Sequence, residues 1–147
     1  MATTPDGHIL AHDDHGLDSA HLRFIDTLLH GWDGSFQILV VEMPEECPDL
    51  LSALYGPAAG DEPIAEREVV YETRGNRRGP SRLVNRPHRP CRRMVLVAGP
   101  GRDEPIIYTA YGTQAEEPSP REPWDRSLSE DDKIVASAFW AQHALAA

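Results

Sequence analysis

Proline and glycine interrupt this chain so often that long helices and strands are not expected. Thirteen prolines and eleven glycines are distributed over 147 residues. Proline removes a backbone donor and ends helices, whereas glycine favours turns. We therefore expect short elements joined by long connections, in a chain whose length is typical of one domain.

Two segments have the periodicity of amphipathic helices, one near each end of the sequence. The first runs from residue 18 to about residue 30, and Asp18 or Ser19 can cap its start. Its apolar face consists of Leu22, Ile25, Leu28 and Leu29. The second runs from Ser129 to about residue 145, because Ser129 and Asp132 have the spacing of a capping box. Its predicted inner face consists of Ile134, Val135, Ala138, Phe139 and Gln142.

Between these helices the sequence predicts strands. Residues 36–43 are apolar and rich in β-branched side chains, which favours a buried strand. Further strands are predicted at residues 66–73, 81–86, 92–98 and 106–111. The last two are separated by a Gly-Pro-Gly turn and predict a hairpin. Residues 48–55, which begin with a proline, predict a short helix.

These elements predict an α+β fold with an antiparallel or mixed sheet of about five strands, packed against the N- and C-terminal helices. Residues 1–16 carry little apolar surface and are expected to form a flexible tail. Residues 17–147 are expected to form a single α+β domain.

Charge is distributed very unevenly. The net charge is −10, which favours solubility and disfavours loose binding to nucleic acid or to anionic membranes. Residues 42–72 contain nine acidic residues and one arginine, whereas residues 74–93 contain eight arginines and no acidic residue. Arginine binds phosphate and carboxylate groups at two points, so this segment suggests a specific anion site.

No apolar run approaches the ~18 residues that a membrane-spanning helix needs. The first residues are polar and acidic and lack the pattern of a signal peptide. We therefore expect a cytoplasmic protein without a membrane partner. The sequence has no phosphate loop, nucleophile elbow or paired CxxC motif, and no cofactor is expected.

Metal binding and thiol chemistry have weak support. His8, His12 and His15 lie close to Asp13 and Asp14, and such residues can bind a divalent metal. The segment lacks apolar residues that would fix their geometry, so a solvated tail without a metal is the favoured interpretation. The two cysteines, Cys47 and Cys91, are interpreted as buried structural thiols.

The arginine segment contains the main candidate site. On a strand, Arg82 and Arg86 would share one face, and His88 and Arg89 follow. Arg82, Arg86 and Arg89 are the candidate ligand-binding residues, with His88 as a candidate acid or base. The alternative is structural: the arginines pair across the sheet with acidic residues just upstream. Those acidic residues are Glu66, Glu68 and Glu72.

A second group of polar side chains ends the last predicted strand. Residues 108–112 read Tyr-Thr-Ala-Tyr-Gly, and alternation places Thr109 and Tyr111 on one face. Their hydroxyl groups could orient a phosphate beside arginine and histidine side chains. The alternative is that the tyrosines cover the sheet with their rings.

A TAYG strand after a hairpin, preceded by an Arg- and His-bearing strand and an N-terminal helix, resembles small metal-independent ribonuclease domains. These are the barnase, colicin and RelE-like toxins, and the resemblance covers about residues 66–112. The same stretch also resembles uncharacterised bacterial proteins, which implies a bacterial source. The ribonuclease resemblance implies that a sheet face helps the RNA 2′-hydroxyl attack the adjacent phosphate. The residues it implicates are Arg82, Arg86, His88, Thr109 and Tyr111.

Two functions from different classes therefore remain open. In the first, the Arg-rich face binds a phosphate-bearing ligand, possibly RNA, with His88, Tyr111 and Thr109 as catalytic candidates for ribonuclease activity. In the second, the protein is a non-catalytic interaction or inhibitor protein whose acidic half binds a basic protein partner.

Overall fold

The computed structural model describes residues 2–12, 16–75 and 77–147. Two units can be distinguished: Met1–Ser52 with Arg89–Glu116, and Ala53–His88 with Glu117–Ala147. Each unit contains one α-helix, and among the described residues the first unit has two sheets and the second has one. The predicted α+β class is therefore confirmed, but the strands form several sheets of two to five strands instead of one sheet of about five. The single domain expected for residues 17–147 stays a prediction.

The helices and strands of the described residues follow one another in this order: β1 Ala2–Thr3, β2 Ile9–Leu10, α1 Ser19–Leu28, β3 Gln37–Glu42, β4 Leu50–Ser52, β5 Leu54–Tyr55, β6 Val69–Thr73, β7 Pro80–Val84, β8 Arg89–Cys91, β9 Arg93–Gly99, β10 Ile106–Thr113, α2 Glu130–Trp140 and β11 Ala144–Ala146. Two short 3-10 helices, Pro57–Ala59 and Glu66–Glu68, lie between β5 and β6.

The first unit is built on a five-stranded sheet in the order β1-β2-β10-β9-β3. Strand β9 pairs antiparallel with β10 and with β3, and β2 runs parallel to β10. The hairpin predicted for β9 and β10 is confirmed. A strand also forms where residues 36–43 predict one, but the predicted burial was wrong: β3 lies at the edge of the sheet, and Phe36 and Ile38 are exposed. Strands β4 and β8 form a separate two-stranded sheet.

Helix α1 begins as predicted. Asp18 is its N-cap and accepts hydrogen bonds from the backbone N–H groups of Ala20 and His21. Ile25 and Leu29 from the helical segment share one buried cluster with Leu96 and other residues of the sheet. The helix is therefore stabilised by its cap and by apolar burial.

The N-terminal residues contribute to this unit in a way that the sequence did not indicate. In the segment expected to be a flexible tail, Leu10 is buried in the same cluster, with 1% of its surface exposed. Ala11 also donates a backbone hydrogen bond to Ile107 of β10. Only two apolar residues, Ile9 and Leu10, mark this strand, which is too few for a periodic pattern.

The short helix predicted at residues 48–55 was wrong, because this segment forms β4 and β5. Leu50 and Ser52 are buried and Leu51 is exposed, which is the alternation of a strand. Pairing of Leu50 with Cys91 of β8 decides the conformation, and this partner is distant in the sequence.

The second unit contains a four-stranded sheet in the order β5-β11-β7-β6. The final helix ends at Trp140 instead of continuing to about residue 145, and Ala144–Ala146 lie between β5 and β7 as a strand. Alanine favours helices, but the pairing of Leu145 with Leu83 overrides that local preference.

The inner face predicted for the final helix was wrong in part. Only Phe139 of the predicted face is half-buried, and the buried residues of α2 are Ala136 and Trp140. The other residues of the predicted face are exposed: Ile134, Val135, Ala138 and Gln142. The apolar residues of this segment cover more than half of the helix circumference, so periodicity alone could not select the buried side.

Candidate functional site

The residues predicted to form a site are divided between the two units. Arg82, Arg86 and His88 belong to the second unit. Arg89, Thr109 and Tyr111 belong to the first. Neither unit on its own assembles the six residues predicted from the sequence.

Arg82 lies on β7 and only 8% of its side chain is exposed. One terminal nitrogen donates to the carbonyl oxygens of Trp140 and Ala141, at 3.4 and 3.0 Å. The other donates to Glu66 at 3.0 Å. Arg82 therefore holds the C-terminal end of α2 against the sheet, and these contacts agree with the structural alternative.

Arg86 lies beyond the end of β7, which terminates at Val84 instead of at residue 86. Its guanidinium group pairs with Glu68 at 2.8 Å and lies 5.3 Å from the ring centre of Tyr55. This contact is the second of the predicted pairs between arginines and upstream acidic residues. The two candidate phosphate-binding arginines of β7 and its extension are thus both engaged by glutamates.

The three candidate catalytic residues differ in environment. His88 is exposed, and Thr109 is half-buried on β10. Burial raises the pKa of Tyr111 above its ordinary value of 10.0, which makes deprotonation of its hydroxyl still less favourable. Arg89, the remaining binding candidate, is half-buried on β8, where it pairs in register with Ser52.

The second unit contains a pocket of about 400 Å³ that the sequence did not predict. Its wall includes the aromatic side chains of Tyr71, Trp124 and Trp140, together with Arg82 and Glu122. Tyr71 on β6 pairs with Arg82 on β7, so both residues belong to the same face of the sheet. The pocket thus lies beside the strand that carries the first candidate arginine.

Two tryptophans form much of this wall, and each is fixed by its surroundings. The Trp124 ring lies against Gly79, where an added Cβ would come within 2.3 Å of the indole. Trp140 donates from its indole N–H to the carbonyl oxygen of Pro120 at 3.1 Å and packs edge-on against Phe139. The aromatic surface is therefore held in place before any ligand binds.

The pocket also contains two buried charged side chains. Glu122 is 8% exposed, and its Oε2 accepts a hydrogen bond from Arg77 at 3.0 Å. Among the described residues, Oε1 of Glu122, Nε of Arg82 and the indole nitrogen of Trp124 have no hydrogen-bond partner. Buried polar atoms in folded proteins are nearly always paired, so three such atoms around one pocket are unusual.

Neither Glu122 nor Trp124 was among the candidate residues predicted from the sequence. One signal was available: Trp124 is one of three tryptophans in the chain, and it lies in a proline-rich segment. A large apolar side chain in such a segment usually has something to pack against.

The first unit contains a histidine–carboxylate pair. Nδ1 of His8 lies 2.8 Å from Oδ1 of Asp26, and the backbone N–H of Asp6 donates to Oδ2 at 2.9 Å. Burial of the Asp26 carboxyl raises its pKa, but hydrogen bonds from Thr4, His8 and Asp6 and the charge of His8 outweigh this effect. The pKa of Asp26 is therefore lowered below its ordinary value of 3.8.

Replacing Asp26 with asparagine should destabilise the protein in a pH-dependent way. Because the folded-state pKa is lowered, the charged carboxylate stabilises the fold above pH 3.8, and this contribution is lost as pH falls through the folded-state pKa. Urea unfolding of the unmodified protein and of Asp26→Asn should show a difference in the free energy of unfolding that becomes smaller as the pH falls below 3.8. A stability difference that does not change with pH would contradict the role of the carboxylate charge.

No group of His, Cys, Asp and Glu residues suited to a metal ion occurs among the described residues. His8 is bound to Asp26 instead, and Asp13, Asp14 and His15 of the predicted cluster lie outside the described residues. Cys47 and Cys91 are buried free thiols, and burial raises the pKa of both above the ordinary value, which is typical of unreactive thiols.

Comparison with protein-family models, with curated proteins and with solved structures found no match. Neither described helix has the length and apolar character required to cross a membrane.

Proposed function

We propose that the protein is a non-catalytic binding protein whose second unit holds a small organic ligand in the aromatic pocket. One observation carries this proposal: a pocket of about 400 Å³ combines three aromatic side chains with two charged side chains that are nine-tenths buried. Small-molecule sites are typically concave, mostly apolar and supplied with a few well-placed polar groups.

The arrangement of the arginines supports binding in the pocket over phosphate binding on the sheet face. Arg82 donates hydrogen bonds to two main-chain carbonyl oxygens and to Glu66, and Arg86 forms an ion pair with Glu68. A ribonuclease would need such cations for the charge that develops on the phosphate. Metal-independent ribonuclease activity, with His88 as acid or base, therefore stays a prediction with less support.

The acidic half is also partly neutralised within the protein. Asp49 pairs with Arg92 in the first unit, and Glu66 and Glu68 pair with arginines in the second. These contacts reduce the charge available to a basic protein partner. The pocket accordingly offers a more specific binding surface than the acidic segment does.

Aromatic fragments should quench the fluorescence of Trp124 and Trp140, since both tryptophans line the pocket. The measurement uses a Trp32→Phe background, in which these two are the remaining tryptophans. Trp124→Ala should weaken binding of the best fragment about tenfold, because loss of an aromatic contact costs roughly 1–2 kcal/mol. Fragment affinity for this variant is measured by calorimetry.

Phe36→Ala is the matched control, since it removes an exposed aromatic ring of the first unit and should leave fragment binding unchanged. The unmodified protein, incubated with RNA at low salt, should leave the RNA intact. Absence of fragment binding, together with RNA cleavage that His88→Ala abolishes, would overturn the proposal in favour of a ribonuclease.

A further inference from the structure

Strand β3 forms an open edge of the five-stranded sheet in the first unit. Among the described residues it pairs with β9 alone. The backbone N–H of Met43, just beyond the strand, donates to the carbonyl of Arg92, so every second residue of β3 directs its backbone groups toward β9. The residues between them, Ile38, Val40 and Glu42, therefore direct their N–H and C=O groups outward. No hydrogen bond from another described residue reaches these outward groups.

This edge lacks the features that usually prevent strands of two molecules from pairing. Natural sheet edges are short, or carry charged residues, prolines or bulges. Residues 37–41 are uncharged and contain no proline, and their register with β9 is continuous. In the part of the chain that the structure describes, the other edges of the two larger sheets are protected: β1 and β5 have two residues each, and β6 carries Glu72. Of these four edges, β3 is the one best suited to pair with another strand.

We propose that two copies of the protein form a twofold dimer in which their β3 strands pair antiparallel and join the two sheets. The edge presents donors and acceptors at the same spacing in both copies, so it is complementary to itself. Every copy carries this edge, and no other chain is needed to cover it. The dimer uses residues of the first unit, so this inference does not rest on the proposed ligand pocket of the second unit.

The outward backbone groups select one register for the dimer. In an antiparallel pair, opposite residues that direct their backbone groups toward each other exchange two hydrogen bonds. All three outward residues of β3 are paired within the strand if Val40 lies on the twofold axis, and Ile38 then lies opposite Glu42 of the other copy. The two Glu42 side chains are four residues apart along the strands, about 13 Å. This exceeds the Debye length of about 8 Å at physiological ionic strength, so their repulsion is largely screened.

The same register covers apolar side chains on both faces of the sheet. Leu39 and Val41 pack against the buried cluster of the first unit and are only half-buried. Leu39 of one copy lies opposite Val41 of the other, so each copy covers apolar surface that the other leaves exposed. On the opposite face, Val40 meets Val40 at the axis, and cross-strand pairs of β-branched residues are favourable. Ile38, which is 44% exposed, lies on this second face.

Sedimentation equilibrium of the unmodified protein should show an average mass that rises with concentration, from that of one chain toward that of two. Amide exchange followed by NMR should show which backbone groups become paired. The N–H groups of Ile38, Val40 and Glu42 should exchange more slowly as the dimer forms. Those of Leu39 and Val41, which β9 already protects, should change less.

Two substitutions of the exposed Ile38 test the register. Ile38→Glu places a carboxylate opposite Glu42 of the other copy on both sides of the axis, whereas Ile38→Lys places an ammonium group there. The glutamate variant should therefore dimerise at least about tenfold more weakly than the lysine variant, because like charges that face each other across strands are destabilising. Both variants carry a charge at the same exposed position, so each is the matched control for the other.

Val40→Pro tests the backbone contact directly. Proline removes the outward N–H at the axis, and an edge strand tolerates proline where that N–H faces away from its neighbour. This variant should remain a single chain at all concentrations, with folding checked by thermal unfolding.

Three outcomes would overturn the proposal. The first is the mass of one chain for the unmodified protein at concentrations up to about 1 mM, where even a weak interface is occupied. The second is a dimer that persists in Val40→Pro, because the interface would then lie elsewhere. The third is equal dimerisation of Ile38→Glu and Ile38→Lys, which would exclude antiparallel pairing with Ile38 opposite Glu42.

Discussion

Replacing Leu10 with alanine should lower the free energy of unfolding by about 2–5 kcal/mol, the usual cost of truncating a large buried side chain. Leu10 is almost fully buried, in the cluster that contains Ile25, Leu96 and Ile107. Its strand is also held by parallel pairing with β10. Denaturant unfolding followed by circular dichroism measures the effect.

The matched control for Leu10 is Ile134→Ala, because Ile134 is also a large aliphatic residue but 69% of its surface is exposed. That substitution should change stability by no more than about 0.5 kcal/mol. Equal unfolding midpoints for Leu10→Ala and the unmodified protein would mean that the N-terminal segment does not pack and is the flexible tail that the sequence predicts.

Replacing Arg82 with alanine should cost about 2–4 kcal/mol, because the change removes a buried and a part-buried hydrogen bond to main-chain carbonyls together with packed methylene groups. The carbonyls belong to Trp140 and Ala141, where α2 ends. Lysine at this position should restore only part of the loss, since one ammonium group cannot reproduce the fork of the guanidinium. Thermal and urea unfolding give the comparison.

Glu66→Gln is the control that separates the main-chain contacts of Arg82 from its ion pair. Glu66 is 76% exposed, so its removal should cost at most about 1 kcal/mol. If Arg82→Ala lowered the free energy of unfolding no more than Glu66→Gln does, the guanidinium would not anchor α2. Binding of an anionic ligand by Arg82 would then have to be reconsidered.

Local signals in the sequence were sufficient for several elements. The cap residue Asp18 and the apolar face that follows it predicted α1, and the β-branched run predicted β3. Two apolar runs around a Gly-Pro-Gly turn predicted the β9–β10 hairpin. In each case the residues that determine the structure are close together in the sequence, so the pattern could be interpreted without the fold.

Other elements depend on partners that are far away in the sequence. Leu50 pairs with Cys91, and Leu145 pairs with Leu83. Neither segment has a distinctive local pattern, since both combine leucine and alanine residues that also favour helices. Their conformation is decided by long-range pairing, which sequence inspection alone does not provide.

The candidate site, too, could be predicted from the sequence only where the signal was local. Charge patterning drew attention to the arginine segment and offered glutamate pairing as one alternative, which Arg82 and Arg86 match. The pocket was missed because its residues come from four separate stretches of chain, represented by Tyr71, Arg82, Trp124 and Trp140. Each looks ordinary in its own stretch, and only the fold places them together.

The position of β11 inside its sheet has a consequence for how the protein folds during translation. The first unit has all its strands once residue 116 has been synthesised. The sheet of the second unit cannot close until Ala144–Ala146 emerge, because β11 separates β5 from β7. While the ribosome adds those residues, the nascent chain carries strand edges without their neighbour, which is the condition in which chains aggregate or recruit chaperones.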